Sequence, residues 1–276
     1  MNPHRNHGTG LPELFSSFFR NRKLIFHMAR RDVLGRYRGS IIGLAWSFFN
    51  PLLMLGVYTV FFSIVLKSRW GVSPGAGHTD FAVVLFVGLI IHGLFSECLN
   101  RAPSLINNNV SYVKKIIFPL ETFPWVAMGS ALFHAAISVC VLLTLQLIIA
   151  GGLQWTAIMF PLVVAPFVLL TLGIAWFLAA TGVFLRDINH VTGLVTSVFL
   201  FVSPIFYPIS ILPSQVQSLA MLNPLTLIIE ESRKVLLFGE LPDWAALGTY
   251  SLAALAVAWG GFWWFQKTRR GFADVL

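Results

Sequence analysis

Cysteine, lysine and carboxylate are scarce in this sequence, and each scarcity closes a class of chemistry. The 276 residues hold two cysteines, Cys98 and Cys140. Both lie in apolar runs with no histidine or acidic residue at metal-ligand spacing. Neither a disulfide framework nor a metal centre is expected, and both read as buried structural thiols. None of the lysines follows a glycine, so the Gly-Lys-Ser/Thr phosphate loop is missing and no intrinsic NTPase site is expected. Of the 11 acidic residues only Glu97 falls in a long apolar stretch, near one end, with Arg101 placed four residues on as an ion-pair partner. An ion-coupled carrier needs an ionisable group near mid-bilayer. His92 and His134 are the other candidates, and lone histidines with apolar flanks are expected to pack neutral.

What the sequence has in abundance is apolar surface. Hydrophobic residues make up 57% of the chain and charged ones 11%. Several stretches exceed the roughly 18 apolar residues that mark a membrane-spanning helix. The net charge of +8 does not point to nucleic acid, because the basic residues sit at the ends of apolar spans. The first forty residues carry charge throughout and lack the apolar core of a cleavable signal peptide, so the first span is expected to direct its own insertion.

Residues 11–38 open the pattern. Leu11, Leu14, Phe15, Phe18 and Phe19 fall on one helical face, followed by Arg20, Arg22, Lys23, Arg30 and Arg31. An interrupted apolar stripe among cations suits an amphipathic helix lying in the headgroup layer, in contact with membrane lipids. Six spans follow, over about 41–66, 81–99, 125–150, 157–185, 190–207 and 244–265. Ser40 is placed to cap the first and Asp243 the last. Pro51 kinks the first, and Gly151-Gly152 turns the third into the fourth. The chain thus divides into a cytoplasmic N-terminus (1–40), a six-span domain (41–266) and a cytoplasmic tail (267–276). With both termini inside, 15 of the 19 lysines and arginines lie on the cytoplasmic side, which the positive-inside rule favours.

Two segments between spans stand out. Residues 208–243 lie outside, with Pro204 and Pro208 breaking the fifth span just before them. Their apolar pieces are too short to cross, and Thr226–Phe238 reads as a helix with Glu230 facing Arg233 and Lys234, stopped by Gly239. Re-entrant or surface-lying helices fit this stretch; an exposed loop is the alternative. On the inner side, Asn107–Pro119 runs polar, then cationic, then apolar. It suits a short helix docking into a partner's groove, or equally a surface loop whose lysines obey topology. Within the spans, Tyr58 and Phe62 share one face, Thr59 and Ser63 the next, and Thr192 and Thr196 repeat at the same interval. A neutral lining of hydroxyl and aromatic groups suits a sliding sugar chain. The alternative is that these hydroxyls bond their own helices and the aromatics pack. Trp70, Trp155, Trp244, Trp263 and Trp264 read as interfacial anchors.

Several of these stretches, in order, resemble the ABC-2 type permeases that export polysaccharide. Arg36–Pro51 is similar to the family's entry to span one, and Val113–Pro119 to its first coupling segment. Phe184–Ile188, Ser203–Pro208, Ile211–Pro213 and Asn223-Pro224 match further motifs. The resemblance covers nearly the whole chain from about Leu11 and is closest to the O-antigen permeases, with teichoic-acid exporters near and capsule exporters further off. It implies an all-α membrane fold and a homodimer in the bacterial inner membrane, carrying two copies of a separate ATPase that binds the ATP and Mg. The cargo implied is a lipid-linked glycan, undecaprenyl-diphosphate-linked O-antigen. Asn108, Asn109, Tyr112, Lys114, Lys115 and Phe118 would then couple to the ATPase, with Arg186 and Asp187 at the second cytoplasmic turn. Tyr37, Arg38 and Trp46 would flank the interfacial entry. Pro204, Tyr207, Pro208 and Glu230 would form a periplasmic gate. An autonomous flippase and a membrane glycosyltransferase remain as readings from other classes. Missing mid-membrane charge disfavours the first, and missing clustered carboxylates the second.

Overall fold

The computed structural model describes residues 9–61, 78–114 and 118–276, and among them the chain is built of helices joined by short turns and loops, without a strand. The reason is chemical: a bilayer offers backbone groups no water, so each N–H and C=O must find its partner within the segment. Hydroxyls inside these helices follow the same logic. Ser138 donates to the carbonyl of His134 at 2.9 Å, Thr181 to Phe177 at 2.8 Å and Ser251 to Leu247 at 2.6 Å.

Helix α1 covers Leu11–Arg36, with Pro12 in its first turn. A 3-10 turn over Gly43–Ala45 leads into α2, Trp46–Tyr58, which contains Pro51. The Ser40 hydroxyl accepts from the Gly43 N–H, so this residue caps the 3-10 turn. The far end of span one, with Phe62 and Ser63, lies outside the described residues, as does Trp70. Helix α3 (His78–Arg101) descends to the short α4 (Val110–Lys114), and α5 (Thr122–Ala150) returns. Gly151 adopts a left-handed φ of 72° at the end of α5, making the sharp turn that the glycine pair foretold.

Helix α6 (Phe160–Phe184) follows, then α7 (Ile188–Val202), α8 (Ser214–Met221), α9 (Pro224–Arg233), α10 (Trp244–Thr268) and α11 (Phe272–Val275). Asp243 caps α10, its carboxylate accepting from the N–H groups of Ala245 and Ala246.

Among the described residues, five segments are long and apolar enough to cross a membrane: Gly43–Phe61, Phe81–Ser104, Thr122–Ile148, Trp155–Phe184 and Trp244–Val275. The expected fifth span is shorter than foreseen. Helix α7 has 15 residues, about 22 Å against a hydrocarbon core near 30 Å. It stops at Ser203 because Pro204 cannot continue it.

The core lies between α3, α5, α6, α9 and α10, around Phe95, Phe167, Trp176 and Phe262. Small residues set the closest crossing. A Cβ on Gly173 would sit 2.5 Å from the Val257 carbonyl oxygen, and one on Gly261 would collide with the Gly173 carbonyl, so α6 and α10 touch backbone to backbone. Helix α2, by contrast, turns Phe48, Phe49, Leu52, Leu53 and Val57 outward.

Candidate functional site

At the end of the bundle where α3 finishes, the 3-10 turn Ala102–Ser104 packs against α6 where Gly182 leaves room; any Cβ there would strike the Pro103 backbone. Asn107 Nδ2 donates to the Gly182 carbonyl at 2.9 Å and Asn109 Nδ2 to the Leu105 carbonyl at 2.8 Å. These amides hold the segment's backbone. Asn108 and Lys114 are exposed, Lys115 falls outside the described residues, and Tyr112 packs on Phe118 with ring centroids 4.8 Å apart. Phe118 in turn stacks on Phe123 at 5.1 Å. Arg186 and Asp187 are exposed at the turn into α7, with the Asp187 carbonyl accepting from His190 and Val191.

Where α1 ends, a polar network joins three helices. Arg36 Nη2 donates to Glu97 Oε1 at 2.7 Å, and His134 Nδ1 lies 2.9 Å from Glu97 Oε2. The Tyr37 hydroxyl reaches His134 Nε2 at 3.1 Å. The imidazole thus bridges the Glu97 carboxylate through Nδ1 and the Tyr37 phenol through Nε2. Burial pushes the Tyr37 phenol up from its usual range, and the Glu97 carboxylate adds to that, while Arg36 opposes both. Arg101 makes the expected i, i+4 ion pair with Glu97 through Nη1 at 3.9 Å, and its Nη2 holds Asp32 of α1 more closely, at 2.7 and 2.8 Å. Arg38 and Trp46 are exposed beside this network. Above it, a cavity of about 280 Å³ runs between α2, α3 and α5, lined by Asn50, Met54, Tyr58, Phe86, Glu97 and His134 among others.

The remaining residues read as a sugar path are placed differently. Tyr58 faces that cavity, whereas the Thr59 hydroxyl donates to the Leu55 carbonyl at 2.8 Å. Thr192 and Thr196 are buried, the first bonding the Ile188 carbonyl, the second the Asn100 side chain and the Gly193 carbonyl. His92 Nε2 meets the Thr196 carbonyl at 2.9 Å, so these groups fasten α7 to α3.

At the other end of the bundle, Pro204 is buried and the Tyr207 hydroxyl donates to the carbonyls of Val202 and Phe201, closing the backbone that Pro204 interrupts. Burial pushes the Tyr207 phenol up. Pro208 is half-buried. Glu230 pairs with Arg233 at 2.8 Å, but Lys234 pairs with Glu231 at 2.7 Å rather than with Glu230. The Glu231 carboxylate accordingly holds the Lys234 ammonium above its usual range. Helix α9 gives way to a π-helical turn over Lys234–Phe238, ended by Gly239 at φ 72°. Cys98 is buried as foreseen, but Cys140 is exposed on the outer surface of α5.

The family model for ABC-2 type transporters matches residues 23–237. The chain belongs to that family. An O-antigen export system permease protein from Myxococcus xanthus is 26% identical over 265 residues, 95% of this chain and 99% of that protein. A Klebsiella pneumoniae protein of the same description is 24% identical over 92% of this chain and 95% of its own length. A polysialic acid transport protein from Escherichia coli is 25% identical over 84% and 88%.

This ABC-2 family member holds its elements together through contacts that local sequence spacing does not bring out. Arg233 is wholly buried and bonds two backbone carbonyls; the buried Glu121 pairs with the half-buried Arg269 just past the end of α10. Arg269 lies 148 residues from Glu121, so no local spacing joins them.

Proposed function

We propose that this chain is the channel-forming permease subunit of an ABC exporter for lipid-linked polysaccharide, with undecaprenyl-diphosphate-linked O-antigen as cargo. The observation that carries this reading is the end-to-end similarity to an O-antigen permease, covering 95% of this chain and 99% of the relative. In this reading α7 crosses as the fifth of six spans, completed by the buried Ser203–Ile205 segment, and both termini face the cytoplasm of a bacterial inner membrane. Helix α1 lies at the inner surface, with Phe19 and Phe26 exposed towards lipid. Helices α8 and α9 form re-entrant elements of an outer gate around Pro204, Tyr207, Pro208 and Glu230.

Two copies of the chain pair through apolar surface such as that on α2, and each carries one separate ATPase that binds the ATP and Mg. The segment from Asn108 to Phe118, with the exposed Lys114 and, next in sequence, Lys115, docks into the ATPase, and Arg186 and Asp187 meet it at the second turn. Closure of the ATPase pair moves these helices and opens the interface between the two copies. Cargo enters beside Tyr37, Arg38 and Trp46 and passes along the faces bearing Tyr58, Thr59, Phe62 and Ser63. Thr192 and Thr196 brace α7 beside that path. A capsular or teichoic polymer is the second reading; the similarity to a polysialic acid transport protein favours the capsular form.

Reconstitution tests the reading. Proteoliposomes holding this chain and its ATPase should move undecaprenyl-linked glycan only when ATP is supplied. Movement without the ATPase would revive an autonomous flippase, and sugar transfer from an activated donor by the chain alone would support a glycosyltransferase.

A further inference from the structure

Glu121 sits at the start of α5, immediately after the segment read above as the ATPase-docking element. It is 4% exposed. Its two carboxylate oxygens serve different parts of the chain. Oε1 accepts from the Ser17 hydroxyl of α1 at 3.1 Å, and Oε2 accepts from Arg269 Nη1 at 2.6 Å. Its backbone carbonyl accepts from Trp176 Nε1 of α6 at 3.0 Å. Arg269, just beyond α10, uses its other terminal nitrogen on the Phe118 carbonyl at 2.8 Å. The Glu121 carboxylate and the Arg269 guanidinium therefore join the docking segment to α1 and the end of α10, and the Glu121 backbone carbonyl adds α6.

A buried ion pair adds little net stability, because desolvation offsets the attraction. What it gives is geometry: the planar guanidinium fork is divided between the Glu121 carboxylate and the Phe118 carbonyl, so moving Phe118 or the end of α10 breaks a charge-assisted hydrogen bond. Aromatic contacts extend the same unit. Trp176 meets Trp125 and Phe262 edge-on at 5.7 and 5.3 Å, and Phe18 of α1 packs on Trp125 at 4.4 Å. Displacement of Phe118 is thus carried to α1 and α10 through groups that cannot slide past one another.

We infer that Glu121 and Arg269 are positioning residues that convert movement of the ATPase-docking segment into movement of α1 and the last span. The inference rests on the export reading and names how its two ends are joined. Helix α1 is the element lying at the proposed cargo entry, so cutting the link should leave ATP hydrolysis running with little transport.

The test is the amount of glycan moved per ATP hydrolysed by the full complex in proteoliposomes. Glu121→Gln and Arg269→Lys should each lower that ratio at least tenfold. Lys keeps the charge but cannot reach both the carboxylate and the Phe118 carbonyl. Ser17→Ala, which removes the carboxylate's bond to α1 and leaves the Glu121–Arg269 pair in place, should lower it about threefold, and it keeps the test open if the charged-pair variants fail to assemble. An unchanged ratio in Ser17→Ala, or a proportional fall of transport and hydrolysis in the pair variants, overturns the inference. Failure of the unsubstituted complex to move glycan would instead remove the export reading beneath it.

Discussion

The guanidinium of Arg233 donates through Nε to the backbone carbonyl of Val84 at 3.1 Å, across 149 residues of sequence. A second nitrogen reaches the Ile205 carbonyl at 3.2 Å and a third Glu230 at 2.8 Å. The side chain has no exposed surface, and burial holds its pKa down at about 10 although Glu230 pulls the other way. Gly88 leaves the room: a Cβ there would stand 3.3 Å from the guanidinium and 3.2 Å from Ile205. One side chain thus joins α3, the break after α7 and α9.

Arg233→Met should be strongly destabilising. It leaves the Ile205 carbonyl and Glu230 without their cation, and removing one partner of a buried pair costs about 3–5 kcal/mol. Arg233→Lys should fall between, since a single ammonium cannot span three acceptors on three elements. Thermal unfolding of the detergent-solubilised protein orders the variants; equal midpoints for all three proteins would remove Arg233 from this role.

The crossing of α6 and α10 gives a paired prediction. Gly173→Ala pushes a methyl group into the Val257 backbone, which cannot rotate aside, so the helices must part at a cost of roughly 1–3 kcal/mol. Gly248→Ala, on the same α10 with nothing within 4 Å of the new Cβ, should be neutral or stabilising by about 0.5–1 kcal/mol, because alanine is the better helix former. Melting temperatures of the two variants should move in opposite directions.

Glu97 holds Arg36 of α1 and His134 of α5 at the same time. Glu97→Gln should loosen α1 at its C-terminal end while Asp32–Arg101 still holds one turn earlier, costing about 1–3 kcal/mol for the lost charged bonds. Limited proteolysis of inverted membrane vesicles should then cut faster near Arg38, with cutting near Arg20 unchanged. Uniform acceleration along the whole helix would instead mean global loosening.

Lys114 is exposed on the proposed docking segment, with Lys115 beside it in sequence. Reversing both to Glu should weaken binding of the ATPase at least tenfold without affecting membrane insertion, because neither residue lies in a span. Co-purification of the ATPase with the doubly reversed chain reads this directly; retained binding and retained coupled hydrolysis would end the assignment of this segment to docking.

Much of the architecture was legible because its signals are local. Gly151, Pro204, Asn223-Pro224, Gly239 and Asp243 each end or begin an element by their own backbone chemistry, and each does so here. The length of α7 was overestimated because the residues after Pro204 remain apolar, although their backbone is no longer helical. The polar contacts were less legible. Arg233 reads from sequence as a surface partner of Glu230 three residues before it, and that pair is real. Its burial depends on Val84, Gly88 and Ile205, which local spacing cannot bring near. The same holds for Glu97: its i, i+4 partner Arg101 is drawn to Asp32, and the closer contacts come from Arg36 and His134. Thr192 and Thr196 share a face as expected, but that face is turned inward to Asn100 and His92.

Export of a lipid-linked glycan is tested most directly by removing the gene from its native organism and locating the polymer. The account predicts that surface glycan disappears while undecaprenyl-linked polymer accumulates on the cytoplasmic face of the inner membrane. Unchanged surface glycan, with no accumulation inside, would contradict the polysaccharide cargo and leave an ABC-2 transporter for some other amphipathic substrate.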